Sequence, residues 1–373
     1  MARRILIIGA TGNFGRRIAR RLALHNDATL ILASRDSERA KEFAQRLRAG
    51  FPAAALESTA IDQACEDLAS HIDRSGANVV IHTAGPYQGQ DYRVARACIE
   101  CGCHYVDLAD SRDFVVNFSQ LDGEAKRRDL LLVTGASTLP GLSGAVIERY
   151  KPEFATLEAI DISIAPGHRT PRGPGTVAAV LSYCGKAFDV LRDGSWQRVC
   201  GWQDWRILHY PHMRRRIGGA CDVPDLALLP VLHPDLLSVR FHAALEAPWE
   251  QAALWSMAAF TRLGIVSHWS RMQGPVLRLG NLLQRFGSDV GAMHVRLRGR
   301  DARGAAMERC WFLTARDNRG PEIPAIPAVI VARKLAAGDL SDRGARSCYG
   351  LITLDEFKHE VGSPGFQYDL VRK

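Results

Sequence analysis

The sequence predicts a Rossmann-type, doubly wound α/β domain with a parallel sheet, followed by a second α+β domain built on a largely antiparallel sheet. Three observations carry this expectation. Up to Pro140, short apolar runs alternate with helical patterns, the rhythm of a parallel sheet covered on both faces. The first run, Ile5–Ile8, feeds a glycine-rich turn, GATGNFG, that opens a basic helix. Beyond Pro140 the strands alternate apolar and polar residues, as in a half-solvated antiparallel sheet.

In chain order, strands are expected at Ile5–Ile8, Thr29–Ala33, Val79–Thr83, Tyr105–Leu108 and Leu130–Thr134, with a weaker one near Ala55–Ile61. Helices are expected over Phe14–Leu24, Ser37–Arg48, Gln63–Arg74, Asp91–Glu100 and Arg112–Arg127. The first strand-to-helix turn of such a fold faces the ligand crevice. There Gly9 allows a tight turn, Gly12 lets the backbone approach a diphosphate, and Gly15 lets the helix pack on the strand. With Thr11, Asn13 and Phe14 these glycines form the expected dinucleotide cradle, its N–H groups pointing at phosphate. The spacing is G-x-x-G-x-x-G rather than the commoner G-x-G-x-x-G. The second strand ends in Ser34-Arg35, with the acid Asp36 one place later. A hydroxyl and a guanidinium suit a ribose 2′-phosphate, so NADP(H) is expected in preference to NAD(H).

In the second region, strands are expected at Leu157–Ala165, Ser238–Leu245, Met293–Gly299 and Met307–Ala315, the last two as a hairpin closed by Asp301–Gly304. The apolar stretch Ala252–Val266 is too short to span a bilayer. It reads as a helix packed at a domain or subunit interface, or else as a peripheral membrane face or greasy substrate pocket.

Composition narrows the function classes. The 373 residues, 47% hydrophobic, can bury a core large enough for two domains. No apolar run is long enough for a transmembrane helix, and the apolar start is cut at once by glycine, so a cytoplasmic protein is expected. Nine scattered cysteines do not form a disulfide framework, and Cys98, Cys101 and Cys103 lack a paired set at zinc spacing, so no metal is expected. The net charge of +8 suits an anionic ligand. The cluster Arg214-Arg215-Arg216 lacks interleaved aromatics, so nucleic acid is not an expected partner.

Further motifs carry a family resemblance. HTAGPYQGQDYRVARACIECGCHYVDLAD from His82, together with GATGNFG, ASR and VTGASTLPGLSGAV, resembles the saccharopine dehydrogenase-like family of NADP-dependent reductases. That family includes saccharopine reductases and trans-acting enoyl reductases of lipid pathways. GPGTVAAVLSYCGKAF, DVPDLALLP, GPEIPAIPAVIVARKLAAG and GLITLDEF extend the likeness over nearly the whole chain. The resemblance implies a dinucleotide-binding domain of residues 1–142 plus about 320–373, and an inserted substrate and dimerisation domain of about 143–319. It also implies a homodimer and hydride transfer from NADPH to a C=C, C=N or C=O bond of a small-molecule or lipid substrate.

Thr83, Ala84, Gly85, Pro86 and Tyr87 then leave the fourth strand beside the crevice, with Gly135 and Ser137 ending the sixth in the same layer. Tyr87 points either at the nicotinamide or into packing; Asp110 contacts substrate or caps the helix near Arg112. His168, Arg169 and Arg172 lie in a Gly/Pro loop that reads either as a lid with an anion clamp or as an exposed basic loop. Thr176 is a substrate contact or a helix N-cap, and Glu322 faces the cleft or caps the following helix. A Tyr-x-x-x-Lys pair is absent, since Tyr183 has Lys186 three places on. Candidates for proton transfer are therefore Tyr87, His168, Tyr183 and Glu322. No set of carboxylate-binding arginines matches a true saccharopine reductase, so an enoyl reductase-like activity is favoured. The alternative is a non-catalytic NADPH-binding sensor or scaffold.

Overall fold

The computed structural model describes residues 3–170, 173–269, 272–284, 287–362 and 364–373. They fall into two compact units, one running to Leu142 and resuming over Glu322–Glu360, the other comprising Ser143–Pro321 and Val361–Lys373.

The first unit begins β1 (Arg4–Ile8), α1 (Asn13–His25), β2 (Thr29–Ser34), α2 (Ser37–Gly50) and β3 (Leu56–Ala60). It continues with α3 (Leu68–Ser75), β4 (Val79–His82), α4 (Arg93–Cys101), β5 (His104–Asp107), α5 (Arg112–Val116), α6 (Asp122–Arg127) and β6 (Leu131–Thr134). Two expected helices are shorter than their patterns. Residues before Leu68 form a turn in which Asp62 accepts from the Ala64 N–H, so α3 starts late. The stretch expected over Arg112–Arg127 is divided by a tighter 3₁₀ segment, Asn117–Leu121, between α5 and α6.

The second unit contains α7 (Ser143–Tyr150), β7 (Thr156–Ala165), α8 (Pro174–Ser182), β8 (Ala187–Arg192), β9 (Ser195–Cys200), β10 (Arg206–Leu208) and β11 (Arg216–Ala220). There follow α9 (Asp225–Leu232), β12 (Ser238–Leu245), α10 (Pro248–Arg262), α11 (Gln273–Leu283), β13 (Gly291–Arg300) and β14 (Ala306–Ala315). The first unit resumes with α12 (Ile326–Ala337), β15 (Gly344–Ser347) and α13 (Leu354–Val361), and β16 (Phe366–Arg372) completes the second.

The first sheet has strand order β15-β6-β5-β4-β1-β2-β3, and every pairing in it is parallel. Strand order reverses between β1 and β4, which opens a crevice at the carboxyl ends of both strands. The strands are apolar throughout because both faces are covered; Ile5, Leu6 and Ile7 are fully buried. This is the Rossmann-type sheet that the alternating pattern predicts.

The second sheet, β10-β11-β12-β7-β13-β14-β16, is antiparallel except where β12 runs parallel to β7. Asp301 closes the β13–β14 hairpin by accepting from the Arg303 and Ala305 N–H groups. Strands β8 and β9 pair separately. Residues 361–373 correct the boundary that the resemblance implies. They lie in the second unit, because β16 pairs along β14 from Arg309↔Arg372 to Ala315↔Phe366. Among the described residues no helix is long and apolar enough to cross a membrane.

Candidate functional site: the carboxyl edge of the first sheet

The β1–α1 turn is built around three glycines with different duties. Gly9 has φ +83°, and a Cβ there would meet Thr83 Oγ1 at 2.8 Å. At Gly15 a Cβ would sit 2.3 Å from the Gly9 carbonyl oxygen, so that glycine seats α1 on the loop. Gly12 differs: it is exposed, its φ is ordinary, and a Cβ would meet only the Gly9 oxygen, at 3.1 Å. Among the described residues only that oxygen lies near a Cβ added at Gly12.

The Gly9 and Ala10 amides both donate to the Ala33 carbonyl, fixing the turn against β2. Gly12 then stands at the N-cap of α1, where no side chain caps the helix and the first turn holds no acid. Asn13 is tied back to Arg17, whose Nη1 donates to its carbonyl and side-chain oxygens at 2.6 Å, while Phe14 is half-buried. Among the described residues no side chain caps the amides that open this thirteen-residue helix.

Beside this turn, β2 ends in Ser34, whose hydroxyl accepts from Thr11 Oγ1 at 3.2 Å and is approached by the Asp36 N–H at 3.4 Å. Asp36 is committed elsewhere. Its carboxylate accepts from the Glu38 and Arg39 amides as the N-cap of α2 and pairs with the Arg39 guanidinium at 3.3 Å. Arg35 is exposed, and no hydrogen bond or ion pair among the described residues holds it.

The β4 exit is equally ordered. Thr83 Oγ1 donates to the carbonyls of Ile8 and Gly9, and Gln90 Nε2 donates to those of Ala84 and Pro86, fixing the loop through Gly85. Tyr87 is buried beneath it: its hydroxyl donates to the His82 carbonyl at 2.7 Å and is approached by the Leu108 N–H at 3.4 Å. Burial pushes this phenol well above its ordinary pKa. Tyr87 thus braces the loop from beneath.

Asp107, at the end of β5, is the residue whose importance the sequence does not announce. Oδ1 accepts from the Ala109 N–H, the Gly135 N–H and the Thr134 hydroxyl, tying the ends of β5 and β6 together. Burial raises the carboxyl to about 6, against the hydrogen bonds that favour its anion. His82 joins the same interior, contacting Tyr105 through Nδ1 and Gln63 through Nε2, and burial lowers it to about 4. An acid ending an apolar strand was the available signal, but its three partners lie on other segments. Gly135 has φ +68°, and a Cβ would strike Pro140 at 2.6 Å. Ser137 is half-buried, with its N–H on the Gly135 carbonyl.

Several sequence expectations are corrected. Asp110 does not cap a helix: Ser111 holds the N-cap position of α5, and Asp110 is exposed with Gln88 Nε2 donating to it. Glu322 does not sit at the start of α12, whose N-cap is Ala325; it receives Arg21 Nη2 of α1 at 2.5 Å. In the second unit, His168 is buried with Nδ1 facing Glu250 at 3.2 Å and Nε2 facing the Leu283 carbonyl at 3.0 Å, so it ties packed segments together. Tyr183 ends α8, stacks on Trp202 and meets the buried Cys221 thiol. Thr176 is not an N-cap, because α8 starts at Pro174 behind Gly173. Arg169 is exposed, and Arg172 lies outside the described residues. Cys101 and Cys103 donate to the carbonyls of Ala69 and Ala77, and Cys98 is buried. A different trio, Cys65, Asp67 and His71, lies close enough together for a cation, but the His71 nitrogens already face Arg74 and Asp67.

Residues 5–129, which hold this whole glycine turn and the Thr83–Tyr87 loop, match the family model of the saccharopine dehydrogenase NADP binding domain. This segment is therefore a dinucleotide-binding domain of the saccharopine dehydrogenase type. Its cofactor is NADP(H), and the chain is an NAD(P)-dependent oxidoreductase. The fold is similar to that of saccharopine dehydrogenase (L-Glu forming) from Saccharomyces cerevisiae, with a TM-score of 0.69 and 13% identity over 99% of this chain and 100% of that one. Weaker likenesses extend to GenD2 from gentamicin A biosynthesis in complex with NAD (TM-score 0.40, 11% identity, 82% of this chain and 72% of that one). A short chain dehydrogenase from Mycobacterium smegmatis gives a TM-score of 0.30 at 15% identity, over 36% of this chain and 75% of that one. No curated protein sequence matches this chain.

Proposed function

We propose that this chain is an NADPH-dependent reductase acting on a C=C, C=N or C=O bond of a small-molecule or lipid substrate, with enoyl reduction favoured over saccharopine reduction. The observation that carries the cofactor half of this reading is the pairing of an uncapped α1 with an unengaged Arg35. The diphosphate would lie on the amides behind Gly12, where the protein leaves room. Ser34 and Arg35 would take the 2′-phosphate, while Asp36, spent on α2, leaves no acid to grip a free ribose hydroxyl pair. Bound there, the nicotinamide supplies the hydride. Thr83, Ala84, Gly85 and Gly135 shape the rest of the crevice with small residues, and the Asp107 hydrogen bonds hold the β5 and β6 ends in place around it. Asp110, Ser137 and Arg169 are retained as candidate substrate contacts, since each is at least partly exposed. The preference for a lipid-like C=C rests on the exposed apolar helices of the second unit, which suit a greasy substrate better than a multiply charged one.

The sensor or scaffold reading keeps one observation in its favour. Tyr87, His168 and Glu322, three of the candidate proton donors, are all engaged by other groups of the protein. Calorimetry and turnover separate the readings. Arg35→Ala is expected to weaken NADPH binding by about 10- to 100-fold and leave NADH binding unchanged; equal loss for both nucleotides overturns the phosphate assignment. Steady NADPH consumption with a panel of enoyl thioesters, imines and ketones supports the reductase. Tight binding without turnover of any of them supports the sensor.

A further inference from the structure

The second sheet has one apolar face and one charged face. Ile160 and Ile162 of β7, Val239 and Phe241 of β12, and Val295 and Leu297 of β13 are buried on the first, where α7 and α9 pack. The alternate residues, pointing the other way, are Asp161 on β7, Arg240 on β12, and Arg296 and Arg298 on β13. Register sets Asp161 directly between Arg240 and Arg296. Arg192 ends β8 and Arg206 starts β10. Burial lowers the pKa of the Arg240 guanidinium, and Arg206, Arg192 and Arg298 lower it further against the pull of Asp161.

The acids at hand are too few for these cations. Asp161 accepts from Arg298 at 2.9 Å and stands 4.0 Å from Arg240, and Glu308 lies 3.9 Å from Arg296. Asp204 is taken by Arg192. Arg206 is exposed, with no hydrogen bond or ion pair among the described residues. Five guanidiniums thus share three carboxylates, leaving an excess of two positive charges.

Hydrogen bonding shows the same deficit independently. The Nε–H groups of Arg192, Arg240, Arg296 and Arg298 are all buried without an acceptor. The Arg240 side chain is only 15% exposed, and among the described residues no group accepts a hydrogen bond from it. Keeping a charged donor in that condition costs stability, and native proteins answer such donors with an acceptor. Here the chain itself supplies too few. A second copy is the wrong occupant, because two-fold pairing of this face would set one positive excess against another. A phosphate dianion matches both deficits, since it carries two negative charges and several acceptor oxygens that suit forked guanidiniums.

We propose that Arg240, with Arg206 on one side and Arg298 on the other, binds the phosphate group of a small ligand on the charged face of the second sheet. This goes beyond the reductase reading and does not depend on it, since every residue involved lies in the second unit.

The test is calorimetry of the full chain, titrated with inorganic phosphate at constant ionic strength in the presence of excess NADPH. Saturable binding with a dissociation constant below about 1 mM is expected. Arg240→Met should weaken it at least about tenfold. The same variant should melt no lower than the wild type in phosphate-free buffer, because Asp161 keeps Arg298. If Arg240→Met does not fold, Arg206→Ala decides: it alters an exposed side chain and should weaken phosphate about threefold. Ribose 5-phosphate and pantetheine 4′-phosphate, titrated in turn, distinguish the carrier. Tighter binding of either identifies an ester, and equal binding identifies the free ion. Wild-type protein with no saturable phosphate binding up to about 10 mM overturns the proposal. So does a folded Arg240→Met that binds phosphate like the wild type, or one whose only effect is to split a dimer in gel filtration. A chain that binds phosphate through Arg240 but fails to bind NADPH would count against the cofactor reading alone.

Discussion

The first two helices of the parallel sheet have opposite beginnings. Helix α2 is sealed by its own sequence: Asp36 accepts from two amides of its first turn, and Glu38 adds an acid near the positive end of the helix dipole. Helix α1 opens on Gly12, with no side-chain cap and no acid in its first turn. Both follow strands of one sheet, and both meet the same electrostatic demand. The difference is in what meets the first amides: α2 is sealed by its own aspartate, whereas α1 leaves them open to the diphosphate proposed above. The two ends also share a division of labour, since the acid that would compete for ribose in one turn is spent on sealing the next.

The sharpest way to break this comparison lies within α1. Gly15→Ala is expected to destabilise the protein by about 3 kcal/mol or more, because its Cβ falls on the Gly9 carbonyl and the backbone must yield. Gly12→Ala, three residues away, should cost less than about 1 kcal/mol in thermal or urea denaturation, yet weaken NADPH by at least about tenfold. If both substitutions acted equally on stability and on binding, the open helix end would be packing and not a cradle. A smaller effect tests Asp107. Its folded-state carboxyl is raised to about 6, above its unfolded value, so the folded protein holds this proton at higher pH and stability falls as pH climbs from about 4 to 6. Asp107→Asn can accept the same three hydrogen bonds and should remove that slope, leaving the variant about 1 kcal/mol more stable than the wild type at pH 8. An unchanged slope in urea titrations would show that another group titrates there. Smallest of all, Asp36→Ala should cost about 1 kcal/mol through the lost cap of α2, with NADPH affinity nearly unaltered in the same calorimetric assay.

The parallel sheet was legible because its information is local. Apolar runs such as Ile5–Ile8 and the turn glycines behind them specify strand, loop and helix within a few residues. The tight turn at Gly9 and the close packing at Gly15 could be read for the same reason. Tyr87, His168 and Glu322 were harder because a side chain's role depends on partners far along the chain: Tyr87 is answered by Leu108, His168 by Glu250, and Glu322 by Arg21. Asp107 lies in an expected strand, yet its function as a clamp depends on Gly135 and Thr134, nearly thirty residues away. The second sheet was seen in part. Its long strands β7, β12, β13 and β14 alternate clearly, whereas three-residue β10 and glycine-rich β11 carry too few side chains to show a period. Strand β16 was assigned to the wrong unit, since nothing within Phe366–Arg372 says which sheet edge it will join.

That late strand bears on how the polypeptide acquires its shape during synthesis. Both units are discontinuous along the chain, so a ribosome that has made the first 142 residues has not yet produced β15, the neighbour of β6. The edge of β14 likewise stays bare until Phe366–Arg372 emerges. Neither unit can be completed vectorially: the β6 border waits from Thr134 to Gly344, and that of β14 from Ala315 to Phe366.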